Sequence, residues 1–398
     1  MNKFYALFVS LLILLFSAYT TVAQTDASIP VTKEMSLKVF DKVWKTVNEK
    51  YYDPKFNGVD WQKVRETFRP KVEQAKTAAE LYKELFTMLN ELKDGHTTVR
   101  SPLLVKTLAS RSIPDLGFSL RLVEEKVVVT EVKPLSSAEQ AGIEAGWVLT
   151  NFNSKPIDVT ARQLNVDFDQ QASFQFIDRE DKVRDVSLSC CSKVAITPVR
   201  IAKIIDDNIL FLRFDSFEGD MAVWLKEQLS KNKQARGLII DLRKNRGGKV
   251  TILQEILDNF FSQKTVFGEF IARSGKESDL KVGGDKNAYS GPVTILVDKD
   301  SVSAAEIFSI ALQETKRGTV IGRKSRGSVL LSFVENLPDG GQLQFSTSNY
   351  LTQKGARLEG NGVTPDISID LKVDDLRRLV DRDLERAIEI IKKEVGSH

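Results

Sequence analysis

The chain is short of the residues that build metal and redox centres. Among 398 residues there are two cysteines and two histidines. Cys190 and Cys191 are adjacent in an apparent strand, where neighbouring side chains point to opposite faces and a vicinal bridge strains the intervening peptide. They cannot tie distant parts of the chain together, and we read them as packing residues. With no CxxC spacing and so little imidazole, no dedicated metal site is expected, nor any cofactor. His398 ends the chain and His96 is the other histidine, so any proton transfer by imidazole falls to His96. Charge of one sign is also lacking. A formal net charge of +3 is too small to argue for nucleic acid or an anionic membrane as partner. There are no repeats or low-complexity segments. The longest apolar run, residues 4–18, is short for a bilayer span, and an uncleaved N-terminal anchor that holds the protein at the envelope is the minor alternative. Preceded by Lys3 and followed by Thr21-Val22-Ala23, that run reads as a secretory signal, with no nearby cysteine for a lipid anchor. Residues 1–23 are therefore set apart as a signal peptide, and a periplasmic or secreted protein is expected.

What is present is ordinary globular sequence, 42% hydrophobic and 28% charged, long enough for two or three domains. Residues 24–101 form a helical N-terminal region. Val39, Val43 and Val47, then Leu81, Leu85, Met88, Leu89 and Leu92, recur at three- and four-residue spacing. Asp53-Pro54 and Asn57-Gly58 interrupt the first helix, and Thr77 caps the last with Glu80 behind it. The region closes on Leu92-Lys93-Asp94-Gly95-His96-Thr97-Thr98-Val99, which puts His96 in a tight turn. Residues 102–196 change to short strands at 116–120, 126–132, 148–152 and 183–188, with a helix over 137–145 and a turn at Gly146. Residues 197–398 alternate strand and helix: strands at 209–212, 237–241, 292–297 and 319–321, helices at 217–231, 250–261 and 303–314. A β-rich return follows at 329–334 and 342–346, then one amphipathic helix over 376–395.

Three loops carry candidate chemistry. Ser303 stands at a strand-to-helix junction, where free N–H groups and the positive end of the helix dipole favour an oxyanion. Ser303-Ala304-Ala305-Glu306 fits a plain capping box equally well. The Gly247-Gly248 pair between a strand and a helix lets backbone N–H groups face a ligand. Glu359 is an isolated carboxylate in the glycine-punctuated loop 358–366 and, taken alone, reads as a solvated acid.

The order LKDGHTTV, then LGF with VVVTEV and SSAEQAGIEAGWVLTNFNSKPI, then DLRKNRGG, then DKDSVSAAE with LEGNGVTPD, resembles the serine peptidases that include the C-terminal processing (tail-specific) proteases and the tricorn core. The resemblance runs over residues 39–369. It implies a multi-domain α/β chain with a ClpP/crotonase-like catalytic core, a helical N-terminal region and an inserted PDZ-like domain. It also implies a serine endopeptidase acting on proteins or peptides, in part through their C-termini, without metal or nucleotide. Carried across by position, Ser303 is the nucleophile, and Ala304 with Gly247 or Gly248 supplies the oxyanion hole. Leu116, Gly117 and Phe118 form the carboxylate-binding loop of the PDZ-like domain, although Trp147 stands where an acidic residue is usual. The processing branch uses a lysine about 25 residues after the serine, and this chain has Ser328 there. The tricorn-like branch uses a histidine and a late glutamate, so His96 is implied as general base and Glu359 as a member of its polar network. Lys324 is the substitute base to exclude. Two other readings on the same fold are an apolar-ligand carrier, as in the retinoid-carrying interphotoreceptor repeats, and a peptide-docking scaffold.

Overall fold

The computed structural model describes residues 29–109, 112–114, 116–158, 171–189, 193–195 and 199–396. The leader at 1–23, Cys190, Cys191 and His398 lie outside the described residues. The chain divides into two compact units. One holds residues 103–196 and 371–381, and the other holds 29–102, 197–370 and 382–398.

The larger unit is built on a six-stranded sheet. In spatial order its strands are Arg200–Ile205, Ile209–Phe214, Gly237–Asp241, Val293–Val297, Thr319–Gly322 and Ile367–Ser368. The first pair is antiparallel and the rest are parallel. Strands buried on both faces need unbroken apolar runs, and GLIID and VTILV are buried at every position. Alternation then sorts the side chains. Leu210, Leu238, Ile240, Ile295 and Val320 face the helices Met221–Lys231, Val250–Asp258 and Ala304–Glu314. Ile209, Ile239, Leu296 and Ile321 face Ala387 and Ile391 of the helix Arg382–Gly396. The loops 242–249, 298–303 and 323–330 leave the carboxyl ends of three neighbouring parallel strands, the usual place for a site in such sheets.

A second, antiparallel sheet in this unit joins Thr98–Arg100, Gln342–Thr352, Thr265–Ala272 and Gly275–Val282, with Leu331–Asn336 also on Gln342–Thr352. The helices Lys33–Lys50, Trp61–Gln74 and Ala78–Asn90 pack on it, where Val47, Leu85 and Leu89 share a core with Leu343 and Phe345. Thr77 does cap the third helix, accepting the Glu80 N–H at 3.3 Å. The hairpin 265–282 is absent from the sequence reading. Its second strand, GKESDLKV, is mostly polar and carries too weak an alternation to declare itself.

The smaller unit is an antiparallel sheet in the order Phe118–Val123, Lys126–Val132, Val148–Phe152, Gln171–Ile177, Val183–Ser189, with Lys155–Pro156 paired to Val148–Phe152. The strand Ser112–Pro114 pairs separately with Lys193–Ala195. The expected helix 137–145 is only Ser137–Gln140, because Gly142 turns the chain at φ 76° and Ile143 N–H returns to the Ala138 carbonyl. The single helix expected over 376–395 is two helices. Val373–Arg377 ends where Leu379 adopts φ 57° and Val380 N–H reaches back to the Asp375 carbonyl, and Arg382–Gly396 starts afresh. Val373 packs with Val123, Val128 and Val148, so the two helices belong to different units. An amphipathic period continues across such a break, and periodicity alone does not see it.

Candidate active site

Ser303 immediately precedes the helix Ala304–Glu314 and holds φ 58°, ψ −118°. A non-glycine residue there is strained, and such strain concentrates at functional turns. The turn is fixed from several directions. Val302 N–H donates to the Asn245 carbonyl at 2.9 Å, Ser301 Oγ to the Leu242 carbonyl at 2.9 Å, and Ser303 N–H to Glu306 Oε2 at 3.0 Å. That last bond is one half of a capping box, so the structural reading of Ser303 and the chemical one coexist.

Gly247 lies against this turn. A Cβ on Gly247 would sit 2.7 Å from Ser303 Cβ and 2.9 Å from Ala304 N, and its φ of 83° also suits only glycine. Its N–H is committed to Asn245 Oδ1 at 2.9 Å, while Asn245 Nδ2 holds the Phe214 carbonyl at 2.9 Å. Gly248 and Ala304 have N–H groups outside these bonds. Ala304 is the first residue of its helix, where an N–H has no partner within the helix.

Glu306, fully buried, is the hub. Oε1 accepts Ser325 Oγ at 2.6 Å and Gly327 N–H at 2.6 Å, and Oε2 accepts Ser303 N–H at 3.0 Å and Ser328 N–H at 2.9 Å. The backbones of Ser303 and Ser328 are thus two hydrogen-bond lengths apart through one oxygen. Burial raises the Glu306 pKa, and the four donors oppose that rise.

His96 arrives from the other sheet. Asp94 Oδ1 accepts the N–H groups of His96 at 2.7 Å and Thr97 at 2.6 Å, and Oδ2 accepts Thr97 Oγ1 at 2.7 Å. Thr97 Oγ1 takes Ser346 N–H at 3.1 Å, and Thr98 pairs with Gln344, so this turn is sewn to the strand Gln342–Thr352. The imidazole Nδ1 lies 3.2 Å from Ser328 Oγ. Burial lowers the His96 pKa, Asp94 opposes the fall and Arg326 adds to it. Glu359 Oε2 accepts Val329 N–H at 2.7 Å, next to Ser328. Burial first, then the Asp94 and Glu306 charges, push its pKa up to about 7 against the pull of that bond and of Arg357.

Ser303, Ala304 and Gly247 are therefore in contact, and His96 and Glu359 converge on the segment 328–329. Lys324 is exposed. Leu116, Gly117 and Phe118 lie in the smaller unit. There the Phe118 ring packs on Phe174 and Phe176 at 5.6 and 6.0 Å, and the Gly117 carbonyl takes Lys133 N–H at 2.7 Å. Trp147, the departure from the expected acid, is a core residue, 5.8 Å from the Phe176 ring. Sequence reading missed Ser328 as a partner of His96, and Asp94 and Glu306 as the carboxylates that hold the loops. Asp94 carried a signal, an Asp followed two and three residues later by turn N–H groups, and Glu306 showed only as half of a capping box, with nothing to mark its bonds to 325–328.

Residues 208–369 match the model of peptidase family S41, and residues 36–92 match the tricorn protease C1 domain. The chain is 26% identical over 381 residues to a chloroplastic C-terminal processing peptidase of Tetradesmus obliquus, covering 86% of this chain and 79% of that protein. It is 26% identical over 358 residues to a carboxyl-terminal-processing protease of Picosynechococcus, covering 86% and 84%. Among solved structures, a photosystem II D1 C-terminal processing protease superposes with TM-score 0.61 at 22% identity, over 89% of this chain and 97% of the other. Mature CPAF complexed with lactacystin superposes with TM-score 0.67 at 12% identity, over 92% and 99%.

Proposed function

With its family S41 domain the chain is a serine peptidase related to the carboxyl-terminal-processing proteases, and we propose that Ser303 is its nucleophile and His96 its general base. The observation that carries this is the pair of contacts about Ser328. Its backbone shares Glu306 Oε2 with Ser303, and its hydroxyl meets His96 Nδ1. With Nδ1 engaged, Nε2 is the nitrogen left to accept the Ser303 proton. Ser303 Oγ then attacks the scissile carbonyl carbon while its proton passes to Nε2. The oxyanion is held by the Ala304 N–H and, because Gly247 N–H is committed to Asn245, by the Gly248 N–H. The imidazolium returns its proton to the leaving amine, and the ester is hydrolysed by a water that His96 deprotonates. Glu359 supplies a carboxylate one residue beyond Ser328 that balances the imidazolium.

The smaller unit is, in this reading, a PDZ-like domain. Phe118–Val123 is an edge strand able to accept a peptide as an added strand, with backbone N–H groups at 116–118 taking its C-terminal carboxylate. The chain would be exported after removal of residues 1–23. These readings are tested by fluorophosphonate labelling of wild type, Ser303→Ala, His96→Ala and Lys324→Ala. Labelling is expected to vanish in the first two and persist in the third. Loss with Lys324→Ala and retention with His96→Ala moves the base to lysine, and a folded wild type that never labels removes the nucleophile assignment. Peptides with free and amidated C-termini, compared for KM, test the carboxylate loop. N-terminal sequencing of the exported protein tests the leader.

A further inference from the structure

We propose that the Ser328 hydroxyl is the positioning group for His96, and that Gly95 is bare so that this hydroxyl can reach the ring. The proposal rests on His96 being the base and names what orients it. Among the described residues, Ser328 Oγ is the one hydrogen-bond partner of the imidazole. Asp94, the nearest carboxylate in sequence, is spent on backbone N–H groups and Thr97, and Glu359 accepts Val329 N–H. No carboxylate therefore holds the ring, in contrast to the usual Ser-His-acid arrangement.

The direction of the bond follows from the chemistry. A neutral imidazole carries one N–H, and the base must present a lone pair at Nε2. Nδ1 must then bear the proton and donate to Ser328 Oγ. The reverse arrangement, with Oγ–H donating to Nδ1, would put the proton on Nε2 and block transfer from Ser303. Ser328 is well fixed for this duty. It is buried, its N–H is anchored on Glu306 at 2.9 Å, and the next N–H is anchored on Glu359 at 2.7 Å.

Gly95 supplies an independent observation. A Cβ on Gly95 would lie 2.7 Å from Ser328 Oγ and 3.7 Å from Ser328 Cβ, with no other close neighbour and no positive φ. An alanine there meets only a rotatable hydroxyl. It would turn Oγ off the ring without straining the backbone, whereas Gly247 meets backbone and Cβ atoms.

The experiment measures the rate of fluorophosphonate labelling against pH for wild type, His96→Ala, Ser328→Ala, Ser328→Thr, Gly95→Ala and the Gly95→Ala/Ser328→Ala double variant. Ser328→Ala is expected to label roughly ten- to a hundredfold more slowly, the rate equivalent of one hydrogen bond to an imidazolium. Its ascending limb should shift to lower pH, because the lost acceptor stabilised the charged ring more than the neutral one. The groups facing His96, namely Asp94 and Arg326, and the nearby Glu306 and Glu359, are unchanged in these variants, so the shift reports the hydroxyl. Ser328→Thr keeps the hydroxyl and should recover the wild-type limb. Gly95→Ala should behave like Ser328→Ala, and the double variant should be no slower than either single one. A Ser328→Ala protein that labels within about twofold of wild type with an unmoved limb, while His96→Ala is inert, overturns the positioning role and leaves the base. If His96→Ala labels normally, the base reading itself falls and takes this one with it. Should Ser328→Ala fail to fold, Gly95→Ala decides alone, and an unmoved limb there overturns the proposal.

Discussion

Replacing Glu306 by glutamine tests whether one buried carboxylate organises the catalytic loops. The change is nearly isosteric, so it opens no cavity and leaves hydrogen-bond direction as the variable. The carboxylate accepts four donors, two on each oxygen. Glutamine retains one acceptor oxygen and turns an NH2 group toward the other pair. If the NH2 faces Ser303 and Ser328, both backbone N–H groups lose their acceptor. If it faces Ser325 and Gly327, the Ser325 hydroxyl can turn to accept, and the Gly327 N–H alone is stranded. Each buried donor left unmade costs about 1–3 kcal/mol, so the loss is about 1–3 kcal/mol in the better orientation and about 2–6 kcal/mol in the worse. Removing a buried charge returns part of this, since burial already disfavours the ionised form. In a unit of this size about 1 kcal/mol moves the melting transition by roughly 2–4 °C. A drop of several degrees is therefore expected in Tm, with labelling of Ser303 falling further than the melt implies, because Ser303 and Ser328 lose their shared anchor. Calorimetry and labelling rate read the two effects separately. A Glu306→Gln protein that melts and labels like wild type would refute the idea that Glu306 couples the nucleophile turn to the 325–328 loop.

Gly247→Ala places a methyl 2.7 Å from Ser303 Cβ and 2.8 Å from the Val302 carbonyl oxygen at a φ of 83°. Labelling should drop at least about a hundredfold, because the methyl displaces the Ser303 turn and with it the Ala304 N–H that holds the oxyanion, and retention of rate would show that the turn does not depend on a bare Gly247. Asp383, 3% exposed, holds Arg243 Nη1 at 3.0 Å and Arg323 Nη2 at 2.7 Å. Asp383→Ala should cost about 3–5 kcal/mol, read as a lowered Tm and faster proteolysis of the helix Arg382–Gly396. Glu359 has its folded pKa raised from the usual 4.5 to about 7. Between those values the folded chain binds more protons than the unfolded one, so this group's contribution is fully present below about pH 4.5 and is lost as pH rises toward 7. Glu359→Gln should flatten Tm against pH in that window, and an unchanged profile contradicts the shift.

The larger unit was legible where sequence periodicity has a single physical cause. GLIID and VTILV are buried at every position because helices cover both faces of their sheet, and a short apolar, β-branched run between turn signals is how such a strand reads. The Thr77 cap was legible for the same reason, as a local bond between neighbours. The hairpin 265–282 was not, since its polar second strand is specified by pairing with Thr265–Ala272. The break at 378–381 was hidden because Leu379 adopts a left-handed φ with no glycine to announce it.

The site divides along the same line. Gly247 announces itself as half of a glycine pair between strand and helix, and Ser303 by standing at a strand-to-helix junction. Ser328 does not announce itself. Read by position it is an absent lysine, and only the meeting of two loops 232 residues apart turns it into a partner for His96. Glu306 looks like half of a capping box, which it is, yet three of its four donors come from outside its own helix turn. Sequence therefore exposes the groups that stand at recognisable strand-to-helix turns and conceals those whose role is to accept bonds from distant segments. By that reasoning, substitutions at the accepting groups Asp94, Glu306 and Ser328 should reach catalysis by displacing His96 or Ser303. Their defects should be graded and pH-dependent, whereas Ser303→Ala should be silent at every pH.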